Sequence, residues 1–232
     1  MTKDFFKNEV LEKIPVHETY KIAGLLALVG GFLDAYTYML RGHVFANAQT
    51  GNMVLVAVGL VQGNIREALM PVVPILAFMA GVFVTEVIKM HCRKKEFVMW
   101  EHLVILLEIL LLFIVGFIPV SMPDVFANVA VSFICSMQVC SFRKVRGLGY
   151  ASTMCTGNLR SGTENLARRI LEQDKAATGK SLHYFGIIFL FILGAFFGGT
   201  FSLIMGVKSI WLCCILLAAV FVILTFNNKE EF

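Results

Sequence analysis

The chain has 232 residues, of which 58% are hydrophobic and only 16% are charged. This apolar share exceeds that of soluble globular domains and excludes a water-soluble fold. The 20 Lys and Arg outnumber the 16 Asp and Glu by too little to indicate a nucleic-acid-binding protein. We therefore expect an integral membrane protein whose first partner is the lipid bilayer.

Six apolar runs are long enough to cross the bilayer, which takes about 20 helical residues. They lack the period-two alternation of a membrane β-barrel, so helices are predicted. The predicted fold is all-α, with a single membrane domain over 22–226, a cytoplasmic N-terminal segment at 1–21 and a cytoplasmic tail at 227–232. We place the six spans at 22–40, 69–88, 98–118, 125–142, 182–207 and 210–226.

The basic residues predict the orientation of these spans. With the N-terminus inside, all but three of the 20 Lys and Arg lie on the cytoplasmic side; the exceptions are Arg41, Arg66 and Lys208. Because Lys and Arg collect in cytoplasmic loops, both termini are predicted to be cytoplasmic. A seventh span at 53–61 would place the basic residues of 89–95 outside, so 53–61 is predicted to be re-entrant or interfacial.

The two halves of the chain carry the same motif. Thr-Gly-Asn occurs at 50–52, after the first span, and again at 156–158, after the fourth. In each half a polar residue precedes the motif inside the span, Asp34 in the first and Gln138 in the second. Because each half has an odd number of spans, the second crosses the membrane in the opposite sense, as an inverted repeat. We therefore predict two three-span halves, at about 17–118 and 124–226.

The two motifs have a structural and a functional interpretation. Thr and Asn cap helices and Gly allows tight turns, so the motifs could do no more than begin short helices after spans one and four. Alternatively, the amides at the two helix starts face a central site, as broken helices do in transporters. The helix after the second motif is predicted to be amphipathic and to lie at the cytoplasmic surface. The candidate substrate pathway then contains Asp34, Thr37, Tyr38, Thr50, Gly51, Asn52, Gln138, Thr156, Gly157 and Asn158.

The stretch GGFLDAYTYMLRGHVFANAQTGNMV, with the later SMQ and STMCTGNL, resembles the YoaK-like family of bacterial membrane proteins. The similarity extends from about residue 17 to residue 226. The resemblance implies a multi-pass protein of the bacterial inner membrane. It implies no activity, because the family is a domain family of unknown function.

Two carboxylates lie deep in the predicted spans, where an ionisable side chain costs about 2.5 to 3.5 kcal/mol. Asp34, in the first span, and Glu108, in the third, are candidates to take up a proton or a cation during transport. For Asp34 a structural role is equally open, either accepting hydrogen bonds from the Thr-Gly-Asn loop or pairing with Arg41. Helical spacing places Thr37 and Tyr38 on the face of Asp34, although Tyr38 also suits an interfacial aromatic belt.

Other polar and small residues near the first span are predicted to be structural. His43, Asn47 and Gln49 are expected in a solvated loop rather than along an outer vestibule. Gly30, Gly31 and the run 194–199 are expected to permit close helix contact.

The sequence contains no HExxH, GxSxG, Walker or dinucleotide-binding motif, and its six cysteines form no CxxC pair. We therefore predict no enzymatic activity, no metal and no cofactor. An intramembrane enzyme using Asp34 and Glu108 as acid and base has no motif to support it.

These features together predict a secondary transporter or exporter of a small molecule or ion that works by alternating access. An hourglass-type channel is a close alternative. An alternative function without transport is a membrane scaffold or sensor whose basic loop, 143–181, contacts anionic lipid or a partner protein. The sequence leaves monomer and homodimer equally open.

Overall fold

The computed structural model describes residues 15–92 and 100–227, and this part of the chain is almost entirely helical. Two 3-10 turns, Val16–Glu18 and Gly206–Ile210, precede the first and last helices, and a hairpin of β1 (Lys144–Val145) and β2 (Leu148–Gly149) follows the sixth. The helices are α1 (Tyr20–Leu40), α2 (Gln49–Val61), α3 (Ile65–Leu69), α4 (Val72–Cys92), α5 (Trp100–Val115), α6 (Val125–Ser141), α7 (Cys155–Leu171), α8 (Lys175–Met205) and α9 (Trp211–Asn227).

Some sequence predictions fall outside these residues. They concern most of the N-terminal segment and the tail, the basic residues at 93–95 and the first residues of the third predicted span.

Among the described residues, three helical segments are long and apolar enough to cross a membrane: α1, the α3–α4 stretch Ile65–Cys92 and the α8–α9 stretch Lys175–Phe226. Helix α6 is apolar but shorter. Each of the six predicted spans overlaps one long helix, in the order α1, α4, α5, α6, α8 and α9. A helical protein with membrane-length apolar helices is therefore confirmed, while the number of crossings remains a prediction.

Polar residues start two helices before their apolar runs begin. The Asp174 carboxylate accepts the Ala176 N–H at 2.9 Å, so α8 begins at Lys175 rather than near residue 182. The Asn64 side chain accepts the Glu67 N–H at 3.3 Å and begins α3, ahead of the second predicted span. Hydropathy misses these turns because capping uses polar side chains.

The long helices alternate in direction along the chain. Helix α6 runs antiparallel to α1, because Gln138 bonds the Leu26 carbonyl while Asn128, nearer the start of α6, bonds the Arg41 carbonyl. Helix α9 also runs antiparallel to α1, since the turn before it accepts a hydrogen bond from the Tyr36 hydroxyl near the end of α1.

The remaining directions follow from contacts with these helices. Helix α5 opposes α9, with Trp211 donating to the Phe113 carbonyl at 3.1 Å and Phe221 packing on His102. Helix α8 runs parallel to α1, and α4 runs parallel to α6.

Glycines set the closest helix contacts. A Cβ on Gly194 of α8 would overlap the Leu28 carbonyl of α1, and a Cβ on Gly31 of α1 would overlap the Phe191 carbonyl of α8. A Cβ on Gly81 of α4 would overlap the Ser136 hydroxyl of α6. Helix α1 therefore packs most closely on α8, and α4 on α6. The predicted role in close helix contact is confirmed for Gly31, Gly194 and Gly198. Gly30 instead approaches the loop before α7, and a Cβ on Gly199 would meet nothing within 4 Å.

The main hydrophobic core lies between α1, α5, α6 and α9. Its side chains are sealed from solvent, so a polar group among them has little access to water. Fully buried members from each helix are Leu26, Leu33, Leu112, Ile134 and Leu217.

The two short helices differ in their surroundings. Helix α2 exposes apolar side chains along its length, ending in Val61, which is 89% exposed. Helix α7 packs on α8, where the Ser181 hydroxyl donates to the Gly162 carbonyl at 2.9 Å. Its exposed apolar side chains follow one stripe at helical spacing (Leu159, Leu166 and Ile170), and exposed charged side chains follow another (Arg160, Glu164 and Arg168). Helix α7 is therefore amphipathic, as the sequence predicts.

Candidate functional site

Both Thr-Gly-Asn motifs occupy the same place in a helix. They form the second to fourth residues of α2 and of α7. Thr50 and Thr156 are exposed in the same way, as are the glycines that follow them. Asn52 and Asn158 are buried, at 3% and 1% exposure. The asparagines are therefore the members of both motifs that face the protein interior.

Each buried asparagine ties its helix to the loop before it. Asn158 accepts the Ala151 N–H at 3.1 Å and donates to the Ala151 carbonyl at 2.7 Å. Asn52 donates to the Gln49 side chain at 3.0 Å, and Gln49 donates to the Ala46 carbonyl at 2.7 Å. These bonds support the structural interpretation for both asparagines.

Replacing Asn158 with alanine should lower the free energy of unfolding by about 2 kcal/mol, because two backbone groups of Ala151 lose their partner. The matched change Thr156→Ala removes an exposed hydroxyl two residues earlier and should cost less than about 0.5 kcal/mol. Thermal unfolding of the purified protein in one detergent compares the two. Equal effects would contradict the assigned role of Asn158.

Asp34 anchors the loop that leads to the first motif. Its Oδ1 accepts the Asn47 N–H at 3.3 Å, and the Asn47 side chain donates to the Gly30 carbonyl at 3.2 Å. Asp34 itself stays half-buried. Of the two structural roles left open for Asp34, the loop contact is the one observed.

Arg41 does not pair with Asp34, so that alternative is wrong. Its Nη2 donates to the Ile118 carbonyl at 2.6 Å, and its Nη1 lies 3.9 Å from the Asp124 carboxylate. The link between α5 and α6 lies against the end of α1 and supplies these acceptors. The side chain is fully buried there.

Thr37 and Tyr38, near the end of α1, differ in burial. Thr37 is buried and its hydroxyl accepts the Ala46 N–H at 3.4 Å. Tyr38 is 41% exposed and stacks on Phe45, with 4.9 Å between ring centroids. Asp34 and Tyr38 lie one helical turn apart on α1, as predicted, but Thr37 faces the bundle whereas the Tyr38 ring is exposed.

The second half reaches the same part of α1. Gln138 is buried and donates to the Leu26 carbonyl at 3.1 Å and to the Ser152 hydroxyl at 2.6 Å. A Cβ on Gly30 would lie 2.8 Å from the Ser152 carbonyl oxygen. Because Asn47 bonds the Gly30 carbonyl, the loops that precede the two motifs meet at Gly30, in the middle of α1.

Glu108 is fully buried in α5. Within 15–92 and 100–227, neither of its carboxylate oxygens has a hydrogen-bond partner. Of the two coupling candidates, Asp34 is therefore bonded to a loop, and Glu108 has no hydrogen-bond partner in the described structure.

The loop prediction is wrong for two residues. Asn47 and Gln49 are buried, at 1% and 9% exposure, whereas His43 is exposed, as predicted. Ser132 of α6 was not predicted at all; its hydroxyl donates to the Ala46 carbonyl at 2.7 Å. The sequence signal for Ser132 was its position as a polar residue inside an apolar span. Serine is too common in such spans for this signal to identify a functional residue by itself.

Each half has an Arg-Gly pair between the polar residue of its span and its Thr-Gly-Asn motif, Arg41-Gly42 in the first half and Arg146-Gly147 in the second. Gly42 and Gly147 have φ angles of +78° and +74°, a conformation that glycine adopts without strain. The first pair lies on Asp124, the residue before α6, and the second on Glu18, shortly before α1. The contacts are the Arg41–Asp124 ion pair and the Gly147 N–H, which donates to the Glu18 carboxylate at 3.0 Å.

Comparison with known proteins identifies the family. A family model described as "Protein of unknown function (DUF1275)" matches residues 22–223. The chain belongs to this family. A curated relative, the UPF0700 transmembrane protein YoaK of Bacillus subtilis (strain 168), is 25% identical over 167 residues, which cover 68% of this chain and 71% of YoaK. No solved structure matches the chain. The YoaK-like resemblance is therefore confirmed, and the apolar helices agree with a membrane protein.

Proposed function

We propose that this DUF1275 protein is a secondary transporter or exporter of a small solute. It would cross a bacterial inner membrane six times, with both termini in the cytoplasm and two three-span halves in opposite orientation. The seventeen basic residues on one side of this arrangement support the orientation. The solute would pass between the halves by alternating access, without enzymatic chemistry or a cofactor.

The crossed packing of the halves is the observation that carries this proposal. The closest helix pairs are α1 with α8 and α4 with α6. In the proposed repeat α1 corresponds to α6 and α8 corresponds to α4. Exchanging the halves therefore turns one pair into the other, as a two-fold axis requires.

The contacts of the two Arg-Gly pairs are also interchanged when the two halves are exchanged. The Arg-Gly pair of the first half lies on Asp124 at the start of the second half, and that of the second half lies on Glu18 at the start of the first. Both contacts join a loop at the end of one half's first span to the beginning of the other half. They support opposed halves that share one interface.

The meeting point of the two loops is the proposed centre of the pathway. Asn47 and Ser152 approach Gly30 from the two halves, and Asp34 lies one turn further along α1. Inverted-repeat carriers place substrate and coupling-ion sites near such a midplane junction. Asp34, bonded to the first loop, is placed to link solute binding to loop movement.

Flux measurements on proteoliposomes test this function. A panel of amino acids, carboxylic acids, amines and sugars would be applied while current and internal pH are recorded. We expect at least one solute class to give a saturable signal that Asp34→Asn lowers at least about tenfold, because the charge is lost while the Asn oxygen can still accept the Asn47 N–H. Glu164→Gln, which alters an exposed carboxylate on α7, should leave the signal unchanged.

Other outcomes would favour the alternatives. A current that never saturates with solute concentration would favour the hourglass-type channel. No signal from any solute, together with tight binding to anionic vesicles, would favour the scaffold. One observation favours the scaffold: α7 is amphipathic, with Leu166 and Ile170 exposed on its apolar stripe and Arg168 on its charged stripe.

A further inference from the structure

Helix α7 and the first turns of α8 form a hairpin beside the start of α1. A link of three residues, 172–174, joins the two helices, so they run antiparallel. Gly162, in the middle of α7, lies against α8, because the Ser181 hydroxyl donates to its carbonyl at 2.9 Å. A Cβ on Gly186 of α8 would overlap the hydroxyl of Tyr20, the first residue of α1. The middle of α7 is therefore near the level at which α1 begins.

An exposed apolar stripe of α7 crosses this level. Leu159 and Leu166 are 51% and 42% exposed, and they share one face of the helix because they are two turns apart. At a rise of about 1.5 Å per residue, Leu159 lies about 4.5 Å deeper along α7 than Gly162, and Leu166 lies about 6 Å farther out. With α1 crossing the membrane from Tyr20, Leu159 lies at the depth of the lipid acyl chains. Leu166 lies in the interfacial layer, which is roughly 5 to 7 Å thick on each side.

Basic residues lie just beyond this stripe, farther from the membrane. Arg168 and Arg169 belong to the last turn of α7, and Lys175 is the first residue of α8. Each lies about 9 to 10 Å along its helix from the contact of Gly162 with Ser181, within a long side chain's reach of the headgroup phosphates. In the described part of the chain none of the three forms an ion pair. Their charge is therefore available to an outside partner.

The net charge at this end of the hairpin is positive. Residues 168–180 contain four basic side chains and two acidic ones, Glu172 and Asp174. Asp174 is engaged within the hairpin, where it accepts the Ala176 N–H at the start of α8. Two copies of this chain packed through the stripe would bring like charges together, which disfavours a second copy as the occupant. An anionic membrane surface attracts such basic residues instead.

We infer that α7 and the start of α8 bind anionic phospholipid through a lipid patch formed by Leu159, Leu166, Arg168, Arg169 and Lys175. An acyl chain lies along the two leucines, and the headgroup phosphate lies at the basic side chains. Lipid is favoured over an acidic protein because the stripe begins at acyl-chain depth and continues outward to the charges. The inference goes beyond the proposed function and requires only that α1 and α8 cross the membrane.

Thermal unfolding of the full-length protein in a neutral detergent tests the class of ligand with four probes. Phosphatidylglycerol is anionic, phosphatidylcholine with the same acyl chains has no net charge, glycerol phosphate has no acyl chain, and poly-L-glutamate represents an acidic protein. We expect phosphatidylglycerol to raise the unfolding midpoint most, in proportion to the logarithm of its concentration. An equal rise with any of the other three probes would overturn the inference.

A double variant locates the headgroup. Arg168→Gln combined with Arg169→Gln removes two charge-assisted contacts to the phosphate and should weaken phosphatidylglycerol binding at least about tenfold. The matched control, Arg143→Gln combined with Lys144→Gln, removes two exposed charges at the β-hairpin and should keep the affinity within about threefold. Equal losses in the two proteins would show that net charge attracts the lipid, and they would overturn the assignment to the lipid patch.

Leu166→Gln tests the apolar stripe. It removes part of the acyl-chain contact from an exposed position and should weaken phosphatidylglycerol binding about fivefold, whereas Leu60→Gln, an equally exposed change on α2, should leave it unchanged. Light scattering on the same samples tests the other occupant. A wild-type dimer that Leu166→Gln disperses would assign the stripe to a second copy of the chain and overturn the inference.

Lipid binding and transport can fail separately. A preference for phosphatidylglycerol that the double arginine variant abolishes, without flux in proteoliposomes, supports the lipid patch and contradicts transport. Flux that depends on Asp34, without a preference for phosphatidylglycerol, supports transport and overturns the lipid patch.

Discussion

Replacing Gly194 with alanine should lower the free energy of unfolding by about 3 kcal/mol, near the upper end of the usual cost of overpacking. The added Cβ would overlap the Leu28 carbonyl oxygen and lie 2.8 Å from two further backbone atoms of Leu28. Backbone atoms cannot move aside as a flexible side chain can. Helices α1 and α8 would therefore have to separate along their closest contact.

Gly199 provides the matched control on the same helix. A Cβ there meets nothing within 4 Å, so Gly199→Ala should be neutral or slightly stabilising through helix propensity. Unfolding in detergent, followed by circular dichroism, measures both variants. Similar losses for the two would show that the α1–α8 contact is looser than these distances require.

Replacing Glu108 with leucine should raise the free energy of unfolding by about 1 to 3 kcal/mol and abolish flux. The gain is expected because a buried carboxyl group without a hydrogen bond carries an uncompensated desolvation cost, which an apolar side chain removes. The loss is expected because no other group at this depth of α5 can take up a proton or cation. Stability traded against activity is typical of functional residues.

The conservative variant Glu108→Gln separates the two effects. It keeps a buried polar group, so stability should change little, yet flux should still be lost. Chemical unfolding and the proteoliposome assay provide the two readouts. A large loss of stability in Glu108→Leu would reveal a bonded structural carboxylate, and unchanged flux in both variants would remove Glu108 from the mechanism.

Much of the fold and part of the site were predictable from the sequence. Apolar runs locate the long helices because a bilayer-length helix needs nearly continuous hydrophobicity. Asp34 and Gln138 were found because polar side chains inside apolar runs are costly and therefore informative. The recurrence of Thr-Gly-Asn located the two helix starts, where both asparagines are buried.

The missed residues share a physical cause. Asn47 and Gln49 are ordinary polar loop residues by composition, and they are buried only because the loop folds back on α1 and α6. Arg41 was considered as a partner of Asp34, whereas the α5–α6 link covers it and supplies carbonyl acceptors. These contacts join residues 17 to 83 positions apart, which local patterns do not record.

The sequence by itself determined that this is a helical membrane protein of a particular family, because hydrophobicity and motif recurrence are properties of short segments. Only the tertiary structure decided which helices touch, which carboxylate stays without a partner among the described residues, and which polar loop residues are buried. Those features depend on how the two halves pack across each other. Glycines allow the backbones of α1 and α8, and of α4 and α6, to approach each other closely. Each of these helix pairs joins one half of the chain to the other, so the packing depends on both halves.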